Sequence, residues 1–408
     1  MIMKAFCLIG LSVFLIQKIK MYIRLTQEIA ERAIGSQIIS SKRVLKALEE
    51  CMRLGKHLVF ASLDTLDYLN NNAKDTFPIL CSIRSKYTSI GTIAKSMVWH
   101  AEFVVDEPSR RDVENHTIYI NENELPKLEL IKETHVIGEH LKDVSFIKYI
   151  LHYYQREHGL KQTNCFYPLL GGGSSISVVY KNEVNEGHAF VLCITDGDIK
   201  YPGGPQGDTG KNVAKVDKEC GYPYQAYHYQ MQNVMEMENL IPWHLIQEYV
   251  RRTKDAELNG RLADLQKIKD NDESDLRYFD YKEGITKSKA ENPKLQAYRQ
   301  KVAAVIDTDI AATIDADEAI WSAQKKRFME EKIAKDEIEA DKIIKYIRCN
   351  STYVGGICSK ILERILDTFP AELDVISKSQ LTTPMQAEYE QIGELVCSWT
   401  CCDGPILS

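Results

Sequence analysis

The chain has 408 residues, and 51 Lys and Arg against 58 Asp and Glu give it a formal charge of −7. That length holds two or three domains, and apolar and charged fractions of 44% and 27% are ordinary for a globular protein. The mild acidity argues against indiscriminate wrapping of nucleic acid while leaving room for a local basic groove. Eleven cysteines without paired spacing argue against a disulfide framework and for reduced thiols.

Ala5 to Ile16 is strongly apolar, too short to span a bilayer, and followed by Gln17-Lys18-Ile19-Lys20 rather than by a cleavage site. It is read as a packed N-terminal helix, with Met21 as an alternative start. The expectation is a cytoplasmic protein with no membrane segment. Residues 1 to about 56 read as helical with basic residues in excess, either a nucleic-acid face or a solvated helix surface. His57 to Ser62 reads as a strand, Leu63 to Leu69 as a short helix and Asn70-Asn71-Asn72 as a loop. Phe77 to Ser82, Trp99 to Val105 and His116 to Ile120 are expected strands. Residues 1–130 thus form an N-terminal α+β region whose sequence identifies no function.

From Thr134 the pattern becomes regular. Val136-Ile137-Gly138-Glu139 is a strand ending in an acid, and Asp143 can cap the following helix. Val144, Ile147, Leu151 and Tyr154 fall on one helical face. Cys165 to Leu170 is a second strand, broken by Gly171-Gly172-Gly173-Ser174-Ser175. Ile176 to Lys181 follows as a short helix or extended segment. The apolar run Phe190 to Thr195 reads as a strand buried on both faces, and it ends in Asp196-Gly197-Asp198. Strand, helix, strand and strand in this order build a small parallel α/β core over residues 131–252. Lys200 to Gly221 reads as a long loop beside the acids. Tyr224 to Gln232 is a further strand, and a helix follows Pro242. Residues 253–408 form a C-terminal helical region. Ala340, Ile343, Ile344 and Ile347 make one stripe in it; Ile361, Ile365, Ile392, Leu395, Val396 and Trp399 are its later core positions.

In a parallel sheet Glu139, the glycine run and Asp196/Asp198 all fall on one edge, where open α/β sheets place their ligands. Clustered carboxylates repel unless a cation or proton lies between them. The set therefore points to a hard divalent cation, Mg²⁺ with Mn²⁺ as the substitute, held by Glu139, Asp196 and Asp198. Gly171, Gly172 and Gly173 let the backbone approach a phosphate or turn sharply beneath the acids. Lys200 and Lys211, with Lys215 and Lys218, are either phosphate-binding or solvated loop lysines. His135, His140 and His188 read as ordinary strand-edge or loop histidines. Cys397, Cys401 and Cys402 read as buried thiols rather than a metal cluster.

Val136-Ile137-Gly138-Glu139, Asp143, Gly171 to Gly173 and Ile194-Thr195-Asp196-Gly197-Asp198 together resemble the TOPRIM domain of topoisomerases, primases and overcoming-lysogenization-defect nucleases. The nearest likeness is to stand-alone or ATPase-partnered TOPRIM nucleases of bacterial phage defence, whose acidic Glu-Asn pair Glu238-Asn239 matches. The likeness covers roughly residues 132–250. It departs from the usual Glu-Gly of the first motif, since His140 follows Glu139. The resemblance implies a small, mainly parallel sheet flanked by helices and Mg²⁺-dependent cleavage of RNA, such as tRNA, or DNA. It also implies Glu238 as a further acid of the site, a nucleic-acid substrate, and an oligomer or complex, with an ATPase partner subunit as one arrangement. Two other readings stand beside it: an Asp-x-Asp phosphatase or nucleotide-sugar transferase, and a non-catalytic sensor or assembly subunit.

Overall fold

The computed structural model describes residues 21–161, 163–286, 292–307 and 352–402. Residues 1–20, with the apolar Ala5–Ile16 stretch, and the stripe Ala340 to Ile347 lie outside them. The described chain begins with β1 (Tyr22–Leu25), followed by α1 (Gln27–Ile34), α2 (Ile39–Arg53), β2 (Leu58–Ala61) and α3 (Leu63–Ala73). Next come α4 (Pro78–Ser82), α5 (Tyr87–Lys95), β3 (His100–Val104), β4 (Arg110–Asp112) and β5 (Thr117–Asn121). The strands form one sheet in the order β2-β1-β3-β5-β4, parallel except for the β4–β5 pair.

Three expectations for this region need correction. Residues 22–25 are a strand, not helix: Tyr22, Ile23 and Leu25 are buried, and exposed Arg24 pairs at 3.0 Å with Glu102 of β3. Asn70 to Asn72 lie inside α3. Phe77 to Ser82 is not a strand, because Pro78 opens the first turn of a helix, where its missing N–H is no loss. The region is therefore itself α/β, with helices joining parallel strands.

The second sheet holds the acids. Its elements are β6 (His135–Gly138), α6 (Leu141–Glu157), β7 (Thr163–Asn164), β8 (Tyr167–Leu170), α7 (Ile176–Glu186), β9 (Val191–Thr195), α8 (Asp208–Glu219) and β10 (Ala226–Gln230). Strands β10-β9-β6-β8 pair in that order and all in parallel. All five residues of β9 are buried. Their alternation divides the core: Val191 and Cys193 pack with Ile137, Ile176, Tyr180 and Val213, on the side of α7 and α8. Leu192 and Ile194 join the larger core. The stretch expected as one loop, Lys200 to Gly221, is helical over most of its second half. Gly207 precedes the first turn of α8, Asp208 supplies an acid there, and Val213 is fully buried.

After β10 come α9 (Trp243–Thr253), α10 (Ala256–Asn271), β11 (Gly284–Thr286), α11 (Pro293–Ile306) and β12 (Thr352–Gly355). The described residues end with α12 (Ile361–Thr368), α13 (Pro370–Asp374), α14 (Thr383–Thr400) and β13 (Cys401–Cys402). Strands β11 and β12 pair antiparallel, and so do β7 and β13. Helix α14 lies against α6, so closely that a Cβ on Gly393 would meet Tyr154 Cβ at 2.4 Å. Its end joins both sheets: Trp399 packs on Trp99, Phe190 and Tyr227, and its carbonyl accepts from Thr134 Oγ1 at 2.7 Å. The expected positions Ile361, Ile365, Ile392, Leu395 and Val396 are buried, as are Cys397 and Cys401. Among the described residues no helix is long and apolar enough to cross a membrane.

Candidate active site

Because β6 and β9 are adjacent and parallel, with His135 opposite Val191, their carboxyl ends deliver Glu139 and Asp196 to one rim. The Glu139 side chain turns towards Asp196, and its Oε1 accepts the Asp196 amide at 3.2 Å. Glu139 is also fixed through its own carbonyl, which accepts from Gly172 N at 3.0 Å and Gly173 N at 3.2 Å; Gly171 N donates to the Gly138 carbonyl at 2.8 Å. Gly172 and Gly173 adopt φ of +73° and +59°, a region that favours glycine. Their N–H groups are thus directed at the first strand's end. Of the two roles expected for Gly171 to Gly173, the geometry displays the turn beneath the acids.

The Asp196-Gly197-Asp198 turn is built by close backbone approach. Asp196 Oδ1 accepts from Met237 N at 3.0 Å, and Asp198 N donates to the Met235 carbonyl at 2.7 Å. A Cβ on Gly197 would lie 2.2 Å from the Val234 carbonyl oxygen. Asp198 sits at φ +52°, tolerated better by Asp than by bulkier residues. Gln230, at the end of β10, donates from Nε2 to the carbonyls of Asp196 at 3.2 Å and of Gly197 and Gly207 at 3.4 Å. One buried amide thereby holds both sides of the turn.

Glu236 and Glu238 come from the turn after β10. Asn239 Oδ1 accepts from Glu236 N at 2.8 Å, and its Nδ2 donates to the carbonyls of Leu276 at 2.9 Å and Phe279 at 2.8 Å. Asn239 therefore shapes the acidic turn and ties it to the segment that carries Lys282. Lys282 Nζ lies 3.0 Å from Glu238 and 3.1 Å from Glu236.

Crowding of carboxylates sets the electrostatics. Burial, reinforced by Asp198 and Asp143 and opposed by the Asp196 amide, pushes Glu139 up to about 7. Burial raises Asp143 to about 6, with Glu238 adding to it and the His140 amide opposing it. Asp196 is pushed well above the usual carboxylate range by burial and then by Glu139, Asp143, Glu238 and Glu236. Burial also raises Asp198, against the pull of Lys200 and Lys282. Glu236 rises to about 7 through burial, despite Lys282. Burial disfavours the Lys282 ammonium, but Glu238 and Glu236 outweigh it and raise its pKa. Each acid prefers a proton or a neighbouring cation.

The donors are all carboxylate oxygens, the chemistry Mg²⁺ and Mn²⁺ take, and Glu139, Asp196, Asp198 and Glu238 share the rim. The described side chains do not gather three His, Cys, Asp or Glu residues into a metal-binding group. Positive charge already sits among these acids: Lys282 pairs with Glu236 and Glu238, and Lys200 lies near Asp198.

Other expected residues fall elsewhere. Lys200 is exposed and near enough to Asp198 to lower its pKa. Lys211 is on α8 and pairs with Asp208 at 3.2 Å. Asp143 is at the third position of α6, where its Oδ2 accepts from His140 N at 2.7 Å. His135 Nδ1 contacts Glu183 at 2.5 Å and His188 Nδ1 contacts the Lys127 carbonyl at 3.2 Å, consistent with ordinary roles. Sequence reasoning missed Glu236, Gln230 and Lys282. Glu236, two residues before Glu238, carried a signal; Gln230 and Lys282 carried none, since only tertiary packing brings them to the rim. No protein-family model, curated protein or solved structure matches the chain.

Proposed function

We propose that this chain is a metal-dependent nuclease that cleaves phosphodiester bonds of RNA or DNA, using Mg²⁺ or Mn²⁺. The observation that carries the reading is the Glu139 carboxylate reaching across from β6 to the Asp196 amide at the end of β9. Asp198 and Glu238 lie on the same rim. Glu139, Asp196 and Asp198, with Glu238, are the residues that would hold the cation. The cation, when bound, neutralises charge developing on a displaced phosphate. Glu139, raised to about 7, holds or releases a proton near neutral pH, which suits a general acid or base. Gln230 and Gly197 keep Asp196 and Asp198 in place during turnover. The resemblance to TOPRIM effectors extends the reading to a toxic cytoplasmic anti-phage protein acting with an ATPase partner.

The reading is tested with Glu139→Gln and Asp196→Asn in the intact chain, assayed on tRNA, other RNA and DNA with and without Mg²⁺. Loss of cation-dependent cleavage in folded variants is expected. A second reading is favoured by Lys282, which already balances part of the acid charge: a non-catalytic assembly subunit with the rim as scaffold. It predicts that Asp198→Ala leaves the biological effect intact.

A further inference from the structure

The acid rim carries its own cation. Lys282 is only part-exposed, and its ammonium is 3.0 Å from Glu238, one of the residues proposed to hold the metal. Lys282 is also close enough to Glu139, Asp143 and Asp198 to pull their pKa values down. An ammonium and a divalent cation among the same carboxylates repel each other, and more strongly in a half-buried site than in water.

The strap carrying Lys282 is fastened at both ends. Upstream, Asn239 Nδ2 holds the carbonyls of Leu276 and Phe279, and Met235 N donates to the Arg277 carbonyl at 2.9 Å. At the turn, Asp280 Oδ1 accepts from the Lys282 and Glu283 amides at 2.8 and 2.7 Å. Downstream, β11 pairs with β12, and Ile357 N donates to the Tyr281 carbonyl at 2.8 Å. Gly284, at φ +75°, lies so close to β12 that a Cβ would meet the Val354 carbonyl at 1.9 Å. The two strands of this ribbon flank residues 287–351 in the chain.

We propose that Lys282 is a built-in brake on the acid rim: it is the resting counter-ion of Glu236 and Glu238, and a divalent cation must displace it from Glu238 to bind. The inference rests on the metal-dependent reading above and adds its regulation. Withdrawal of the 276–286 strap arms the site; its return discharges it.

The test uses the intact chain and Mn²⁺ alone, titrated calorimetrically into wild type, Lys282→Gln and Lys282→Arg. Loss of one positive charge at this distance is expected to tighten the Mn²⁺ Kd about tenfold or more in Lys282→Gln, with Lys282→Arg close to wild type. A parallel measurement needs no variant: amide hydrogen exchange over residues 276–286 of wild type should speed up when Mg²⁺ is added. Unchanged exchange at saturating cation overturns the proposal, whether or not Lys282→Gln folds. Equal Mn²⁺ affinity in wild type and Lys282→Gln overturns the brake and leaves the nuclease reading standing. Binding by neither protein overturns both.

Discussion

Replacing Gly197 with alanine places a methyl carbon 2.2 Å from the Val234 carbonyl oxygen and 2.8 Å from that of Met231. Gly197 is not at positive φ, so the demand is for space and not for a special backbone angle. Ordinary van der Waals contact begins near 3.4 Å, so the turn or the 231–234 segment must retreat by about 1 Å. That retreat strains the Asp198 N–H bond to Met235 at 2.7 Å and the Gly207 N–H bond to the Gly197 carbonyl at 3.0 Å. Overpacking of this kind costs about 1–3 kcal/mol. A shift of about 1 Å in a positioned carboxylate can lower turnover by about 10²-fold. The assay pairs urea unfolding with Mg²⁺-dependent cleavage by Gly197→Ala. Stability within about 0.5 kcal/mol of wild type together with unchanged cleavage would refute the account of the turn, since surface changes alone stay within that range.

Three further outcomes are expected. Glu139, Asp143, Asp196, Asp198 and Glu236 hold protons more tightly in the folded chain, with Glu139 and Glu236 at about 7. Their stabilising contribution is therefore complete below the unfolded carboxylate range and lost as pH rises through about 7. His228, pushed down to about 4 by burial, acts oppositely at lower pH, so the window for the test runs from about pH 6.5 to about 8. Without divalent cations the melting temperature should fall across it, and Glu139→Gln should flatten the fall; a rise contradicts the argument. Glu388 of α14 is fully buried and accepts from Tyr229 OH at 2.9 Å, Gln232 N at 2.8 Å and Asn233 N at 2.7 Å. Glu388→Ala strands these donors and should lower stability by roughly 3 kcal/mol or more in urea melts. Arg111 of β4, with only 4% of its side chain exposed, pairs with Asp217 of α8 at 2.7 Å and also reaches the Ala226 carbonyl. Arg111→Ala leaves Asp217 with Tyr180 alone and should cost roughly 3–5 kcal/mol, measured the same way.

Strands β6, β8 and β9 of the second sheet were legible because they are short, mainly apolar runs ended by glycine or acid. Val191 to Thr195 has no polar alternation, as a strand covered on both faces requires, and parallel order then carries Glu139, Asp196 and Asp198 to one rim. Elsewhere local signals conflicted with tertiary ones. The strand Tyr22–Leu25 is hidden by flanking basic helix formers, and only pairing with β2 and β3 fixes it. Pro78 is a helix-start signal that outweighs the apolar, strand-like residues around it. The C-terminal region, dense in charge from 254 to about 348, read as a helical arm or bundle with a solvated face, which hid Lys282, because nothing in its neighbours marks a lysine that folds back onto acids 44 and more residues upstream. Nothing in its own helix marks Glu388 as a buried acceptor: its donors come from the turn after β10.

The most direct test of the central claim maps new 5′ and 3′ ends in RNA and DNA after incubation with the intact wild-type chain or with Glu139→Gln, with Mg²⁺ or with a chelator. The account predicts breaks that need Mg²⁺ and that decline by about 10²-fold or more in the variant. Equal cleavage by a folded Glu139→Gln chain, or breaks indifferent to the chelator, would contradict it.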